Sequence, residues 1–114
     1  MIDDDPRVRE MLRDAMSVFG YEVNVADDGQ TGLAKFRQRP ADVVITDLTM
    51  PGMDGLQLAA ELRGSHPAVP IILITGFAED AAVHEAHRLG LTIVHKPIGV
   101  PALRAAINAA LGGA

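Results

Sequence analysis

Five side chains in this sequence carry chemistry that fits together: Asp3, Asp4, Asp47, Thr75 and Lys96. They lie far apart in the chain, yet each sits at the end of a short apolar run. Asp3 and Asp4 follow Met1-Ile2, Asp47 follows Val43–Thr46, Thr75 closes Ile71–Ile74, and Lys96 follows Thr92–His95. Gathered on one edge, three carboxylates repel each other, and a cation relieves that repulsion. The natural cation is Mg²⁺, a hard ion that takes oxygen ligands octahedrally and keeps several waters. The backbone carbonyl of Thr49 could complete the protein's share of ligands. An Asp47 oxygen could then attack a phosphoryl group. Lys96 would neutralise a second oxygen as a mobile point charge, and the Thr75 hydroxyl could donate to a third. Backbone N–H groups after Asp47 and at Gly76 would supply the rest, with glycine permitting close approach. Phosphoryl transfer needs little more than such positioning and charge neutralisation.

Each residue also has an ordinary explanation. Asp3, Asp4 and Asp5 read as a solvated acidic start. Asp47 could form a turn before Pro51-Gly52, a common role for aspartate. Thr75 could cap a loop, and Lys96 could decorate the surface. The basic residues number ten, and only Lys35 and Lys96 are lysines. A lysine is therefore a marked choice. The agreement of four strand ends in one chemistry favours the site over the separate explanations.

The elements that must position these residues alternate. The pattern predicts strands at Tyr21–Ala26, Val43–Thr46, Ile71–Thr75 and Thr92–His95. Helices are expected at Arg7–Phe19, Gly29–Arg37, Gly55–Gly64, Glu79–Leu89 and Val100–Leu111. Asp5 is a plausible N-cap before Pro6. Val8, Met11, Leu12, Ala15 and Phe19 make an apolar stripe at helical spacing, and Gly20 ends it as a left-handed C-cap would. Asp54 can cap the third helix, with Leu56, Leu58, Ala59 and Leu62 facing inward. Leu103, Ile107 and Leu111 make the stripe of the last. Alternating strands and helices imply βαβ units and a parallel sheet covered on both faces. Ligands then sit outside the carboxyl ends of the strands.

At 114 residues the chain suits a single domain, residues 1–114. It contains no cysteine, which removes disulfide frameworks and thiolate sites. With a net charge of -5, it lacks the basic footprint of a nucleic-acid binder. No apolar run reaches membrane-spanning length, and a cytoplasmic location is the default expectation. His66, His84, His87 and His95 are scattered and read as solvated.

The sequence resembles the receiver domain of bacterial two-component response regulators. Carrying the match are Asp3-Asp4-Asp5-Pro6 with Arg9 and Glu10, the run Asp42–Gly55, Pro70–Gly76, and His95-Lys96-Pro97. The Asp47–Gly55 segment is the most specific. The resemblance implies a flavodoxin-like doubly wound sheet of five parallel strands, order 2-1-3-4-5, with five helices. It implies Mg²⁺ held by Asp3, Asp4, Asp47 and the Thr49 carbonyl, and Asp47 as the phosphoacceptor. Thr75 and Lys96 would read the phosphoryl group, and Lys96-Pro97 is a candidate cis peptide. The implied donor is a phosphohistidine on a sensor kinase or phosphotransfer protein. The implied output is a change in partner binding at the face of the fourth helix, fifth strand and fifth helix, with a homodimer possible.

This sequence departs from the family pattern in three places. Only Met1 and Ile2 precede Asp3, so the first strand reads as truncated. Ile93 stands where the family has an aromatic residue three before the lysine, so readout would travel by backbone shifts of the loop and the fourth helix. The last helix carries one charge, Arg104, and its exposed side reads either as alanine-rich surface or as an apolar contact. Phe77, two residues past Thr75, could hinder water attack on the modified aspartate. The output partner is unspecified: a chain of this length would be a stand-alone regulator or a piece of a longer one.

Two rival functions share these residues. One is a phosphorylation-independent pseudo-receiver, a pure interaction module. The other is a phosphatase of the haloacid dehalogenase type, which would need a second aspartate where Thr49 stands. Extending the chain by a few upstream codons is expected to raise the melting temperature clearly; equal melting temperatures count against a clipped first strand.

Overall fold

A computed structural model describes residues 6–18, 20, 28–40, 42–48, 53–76, 80–96 and 99–111, without the side chains of Val8 and Asp80. The expected strand at Tyr21–Ala26, the Met1-Ile2 stub and Asp5 lie outside the described residues. Within them the order is α1 (Pro6–Val18), α2 (Gly29–Gln38), β1 (Val44–Asp47), α3 (Gly55–Ser65), β2 (Ile71–Thr75), α4 (Asp80–Arg88), β3 (Thr92–His95) and α5 (Val100–Ala110).

Local signals set most of these boundaries. Pro6 opens α1, where a missing N–H is harmless. Gly20 follows it at φ +88°, a left-handed conformation that glycine adopts without a Cβ clash. Asp28 caps α2 by accepting from the Thr31 amide at 2.7 Å. Asp54 and Gln57 form a reciprocal capping box at the start of α3, with bonds of 2.8 and 2.9 Å.

The three strands are parallel and run β1-β2-β3. That is the order the last three strands of a 2-1-3-4-5 sheet would have. Alternation along the strands divides the core into two layers. Val44, Ile71 and Leu73 pack with Leu33 and Phe36 of α2, Leu58, Ala59 and Leu62 of α3, and Ala86 of α4. Ile45, Ile72 and Ile74 pack on the opposite face with Leu12 and Met16 of α1 and Leu103 and Ile107 of α5. Helices thus cover both faces, which is why β2 is buried at every position.

Three details differ from the sequence expectation. Asp47 is the last residue of β1, and Val43 lies outside it. Met11 is 51% exposed, while Met16, outside the expected stripe, is 2% exposed. Apolar residues are spread too widely around α1 for periodicity to choose its rotation; packing beside α5 chooses it. Leu111 falls past the end of α5 and is exposed.

Leu58 is fully buried. Leu58→Ala is expected to destabilise the fold by about 2–5 kcal/mol in chemical denaturation. Met11→Ala should stay within about 0.5 kcal/mol; a large loss there would contradict the observed rotation of α1.

Candidate functional site

The carboxyl ends of all three strands finish together. Asp47 is paired with Ile74, and Thr75 with His95, so the register brings Asp47, Thr75 and Lys96 to one edge. The backbone holds them there. The Leu48 amide donates to the Ile74 carbonyl at 2.9 Å, and the Lys96 amide donates to the Thr75 carbonyl at 2.8 Å. The ladder therefore continues one residue past the ends of β1 and β3.

Asp47 and Lys96 share a face of the sheet, because Asp47 pairs with Ile74, Ile74 pairs with Val94, and Lys96 lies two residues past Val94. Two strand spacings and a two-residue offset separate their backbones by on the order of 12 Å. The lysine stem reaches over β2 and closes that gap: Nζ donates to Asp47 Oδ2 at 2.7 Å. The Asp47 side chain is only 5% exposed, whereas that of Lys96 is 38% exposed. A buried carboxylate is thus neutralised by a lysine whose side chain is partly exposed. Thr75 is buried at 3% exposure, and alternation places it on the other face of the sheet, with Leu73 and Ile93. His95 shares that face and is exposed, so it points away from Lys96.

Two residues that sequence reasoning gave no individual role hold the Asp47 backbone. The buried Thr46 hydroxyl donates to the Asp47 carbonyl at 3.0 Å. Gly55, at the start of α3, lies directly against that same carbonyl. A Cβ there would come within 2.4 Å of the Asp47 oxygen and 2.7 Å of Leu73 Cδ1. Its amide donates to the Leu48 carbonyl at 2.9 Å, which closes the loop after Asp47. Gly55 belongs to a motif visible in the sequence. Its close approach to Asp47 was not visible there. Gly76 is exposed, and a Cβ on it would make only ordinary contact with the Lys96 stem.

Asp3, Asp4, Thr49, Phe77 and Pro97 lie outside the described residues. Among those described, no cluster of three metal-ligating side chains occurs. The donor present does suit a hard divalent cation. Asp47 offers two carboxylate oxygens, Lys96 occupies Oδ2, and among the described residues Oδ1 has no hydrogen-bond partner. A single carboxylate plus waters is a normal protein share for Mg²⁺. No helix of the described residues is long and apolar enough to cross a membrane.

Known proteins resemble this chain over most of its length. A family model described as the response regulator receiver domain matches residues 1–108. The regulatory protein AtoC of Escherichia coli is 37% identical over 112 residues, covering 97% of this chain and 24% of that protein. The virulence sensor protein BvgS of Bordetella pertussis is 35% identical over 122 residues, covering all of this chain and 10% of that one. This chain therefore spans about a quarter or less of the length of these relatives. Among solved structures, the chemotaxis protein CheY4 of Vibrio cholerae superposes with a TM-score of 0.90 at 29% identity, covering 96% of this chain and 94% of that one. The receiver domain of NtrX from Brucella abortus gives 0.89 at 28% identity, covering 99% and 97%.

The closeness of Gly55 to Asp47 makes a sharp test. Gly55→Ala is expected to cost about 1–3 kcal/mol through overpacking, and to shift the backbone resonances of Asp47 and Leu48. An unchanged melting curve with unchanged shifts at these two residues would show that the backbone does not approach so closely.

Proposed function

The chain belongs to the response regulator receiver domain family, and from that membership we propose that it is a single receiver domain, residues 1–114, whose Asp47 accepts a phosphoryl group. The observation that carries this is the buried carboxylate at the end of β1, bridged across β2 by Lys96. In this reading Asp3, Asp4, Asp47 and the Thr49 carbonyl hold Mg²⁺. When bound, the ion offsets negative charge on the phosphoryl oxygens and on the acidic side chains.

The chain's own residues then divide the work. Asp47 supplies the attacking oxygen; the new O–P bond forms as the bond to a donor phosphohistidine breaks, and the imidazole nitrogen leaves with the electron pair. Lys96 begins on the Asp47 carboxylate. Conversion of the carboxylate to an acyl phosphate moves the negative charge outward to the phosphoryl oxygens. The half-exposed lysine side chain can follow it while its backbone stays fixed to Thr75. The Thr75 hydroxyl donates to a further oxygen, and the Gly76 N–H lies at the same edge. Ile93, half-buried beside Leu73, replaces the family's aromatic readout, so the signal passes through backbone movement of the segment after Thr75 and of α4. The output face is α4, β3 and α5, which engages a partner protein or domain or a second copy. The domain works in the cytoplasm with a sensor histidine kinase or phosphotransfer protein, and makes no direct contact with nucleic acid or membrane.

Incubation with Mg²⁺ and acetyl phosphate, followed by intact mass spectrometry, tests the proposal. One phosphoryl group is expected on the wild type and none on Asp47→Ala, or on the wild type after chelation of the metal. Folded wild-type protein that takes up nothing would point to a phosphorylation-independent module. Sustained hydrolysis of a phosphate ester would point to a phosphatase.

A further inference from the structure

Arg63, on the last turns of α3, has no acidic partner among the described residues and is spent on backbone carbonyls. Its Nε donates to the Leu89 carbonyl at 2.7 Å. One terminal nitrogen donates to the Val69 carbonyl, and the other reaches the Gly90 carbonyl at 3.5 Å. Val69 lies just before β2, and Leu89 and Gly90 lie between α4 and β3. One planar guanidinium thus joins the end of α4 to the approach to β2, at the edge of the sheet opposite Asp47.

The C-terminus of α4 is closed by a glycine turn. Gly90, at φ +72°, sets up a Schellman arrangement. The Leu91 amide donates to the Ala86 carbonyl at 2.9 Å, and the Gly90 amide donates to the His87 carbonyl at 3.1 Å. Arg63 takes the carbonyls of Leu89 and Gly90, in the turn just past the last helical residue. Its charge also lies at the negative end of the helix dipole. The helix's own last arginine, Arg88, is turned along the surface to Glu85, whose carboxyl it holds below its ordinary value through their hydrogen bond.

The rest of α4 is lightly held. Among its described side chains only Ala86, in the C-terminal half, is fully buried. Its first residue, Asp80, lies five positions after Thr75, at the edge that carries the site. A helix of this length spans about 13 Å, so its two ends report to opposite edges of the sheet.

We propose that Arg63 is a positioning residue that fixes the C-terminal end of α4, so that events at the carboxyl edge move this helix as a lever about that end. The displacement grows toward Asp80. The lever rests on the proposed phosphorylation of Asp47; the fixed end does not. The device gives direction to a switch that lacks the aromatic readout, because a helix free at both ends would transmit no defined movement to its exposed face.

Amide hydrogen exchange on the 114-residue chain tests both parts, in the wild type, Arg63→Lys and Arg63→Met. Lysine keeps the charge and the stem but cannot fork to three carbonyls. Without phosphodonor, both variants should lose protection at Leu89, Gly90 and Leu91 by tenfold or more, while His84 and Glu85 change less than twofold. With Mg²⁺ and acetyl phosphate, the wild-type change should be largest at His84 and vanish by Gly90, and the variants should lose that gradient. Unchanged protection at Leu89–Leu91 in both variants overturns the fixed end, as does a loss spread evenly over the whole core. A wild-type response that is uniform along α4 overturns the lever. Failure to phosphorylate the wild type removes the receiver reading and the lever with it, while the donor-free comparison still decides what Arg63 holds.

Discussion

The reach of one lysine over the middle strand governs the architecture of this site. The pair it makes with Asp47 needs both groups on the same face of the sheet, at strand ends that finish level. It also needs β2 to be thin enough in side chains at that edge for the stem to pass. Parallel pairing in register meets the first two requirements. Extension of the ladder through the Leu48 and Lys96 amides prevents the ends from fraying apart. A carboxylate this buried is costly without a partner, and a fully buried ion pair often gains little over apolar packing. Here the lysine side chain remains partly exposed, so the pair is not wholly removed from water while the acid stays neutralised.

Around that pair the backbone is held more tightly than the side chains. The Asp47–Leu48 peptide is bonded at both ends, its carbonyl by Thr46 and its N–H by Ile74. Gly55 leaves no room for the carbonyl to turn toward α3. The capping box at Asp54 and Gln57 fixes the start of α3, and so indirectly the glycine that abuts the site. At the far edge, Arg63 serves a comparable purpose for α4 through carbonyls alone. The backbone is therefore tied down both beneath the site and at the base of α4.

Much of this was legible in the chain. The strands Ile71–Thr75 and Thr92–His95 stand where their apolar runs place them, and the five helices lie within two residues of their expected bounds. Asp54 and Gly20 act as their residue types suggest. These features are local: a cap, a glycine turn or a β-branched run depends on neighbours in sequence. The rotation of α1 was not legible, because Met11 and Met16 are equally apolar and only the packing beside α5 tells them apart. Thr46, Gly55 and Arg63 looked ordinary for the same reason. A threonine in a strand, a glycine at a helix start and an arginine on a helix have many uses, and their partners lie in other elements.

Sequence alone determined the inventory of the site. An aspartate, a threonine and a lysine closing three apolar runs are chemical choices that no packing detail alters. The tertiary structure decided their relation: that Lys96 crosses β2 to reach one oxygen of Asp47, that Thr75 lies on the opposite face with Ile93, and that a helix-opening glycine abuts the Asp47 carbonyl. The physical reason is that residue type fixes which interactions a group can make. Register and helix rotation, set by the whole core at once, fix which of them it does make.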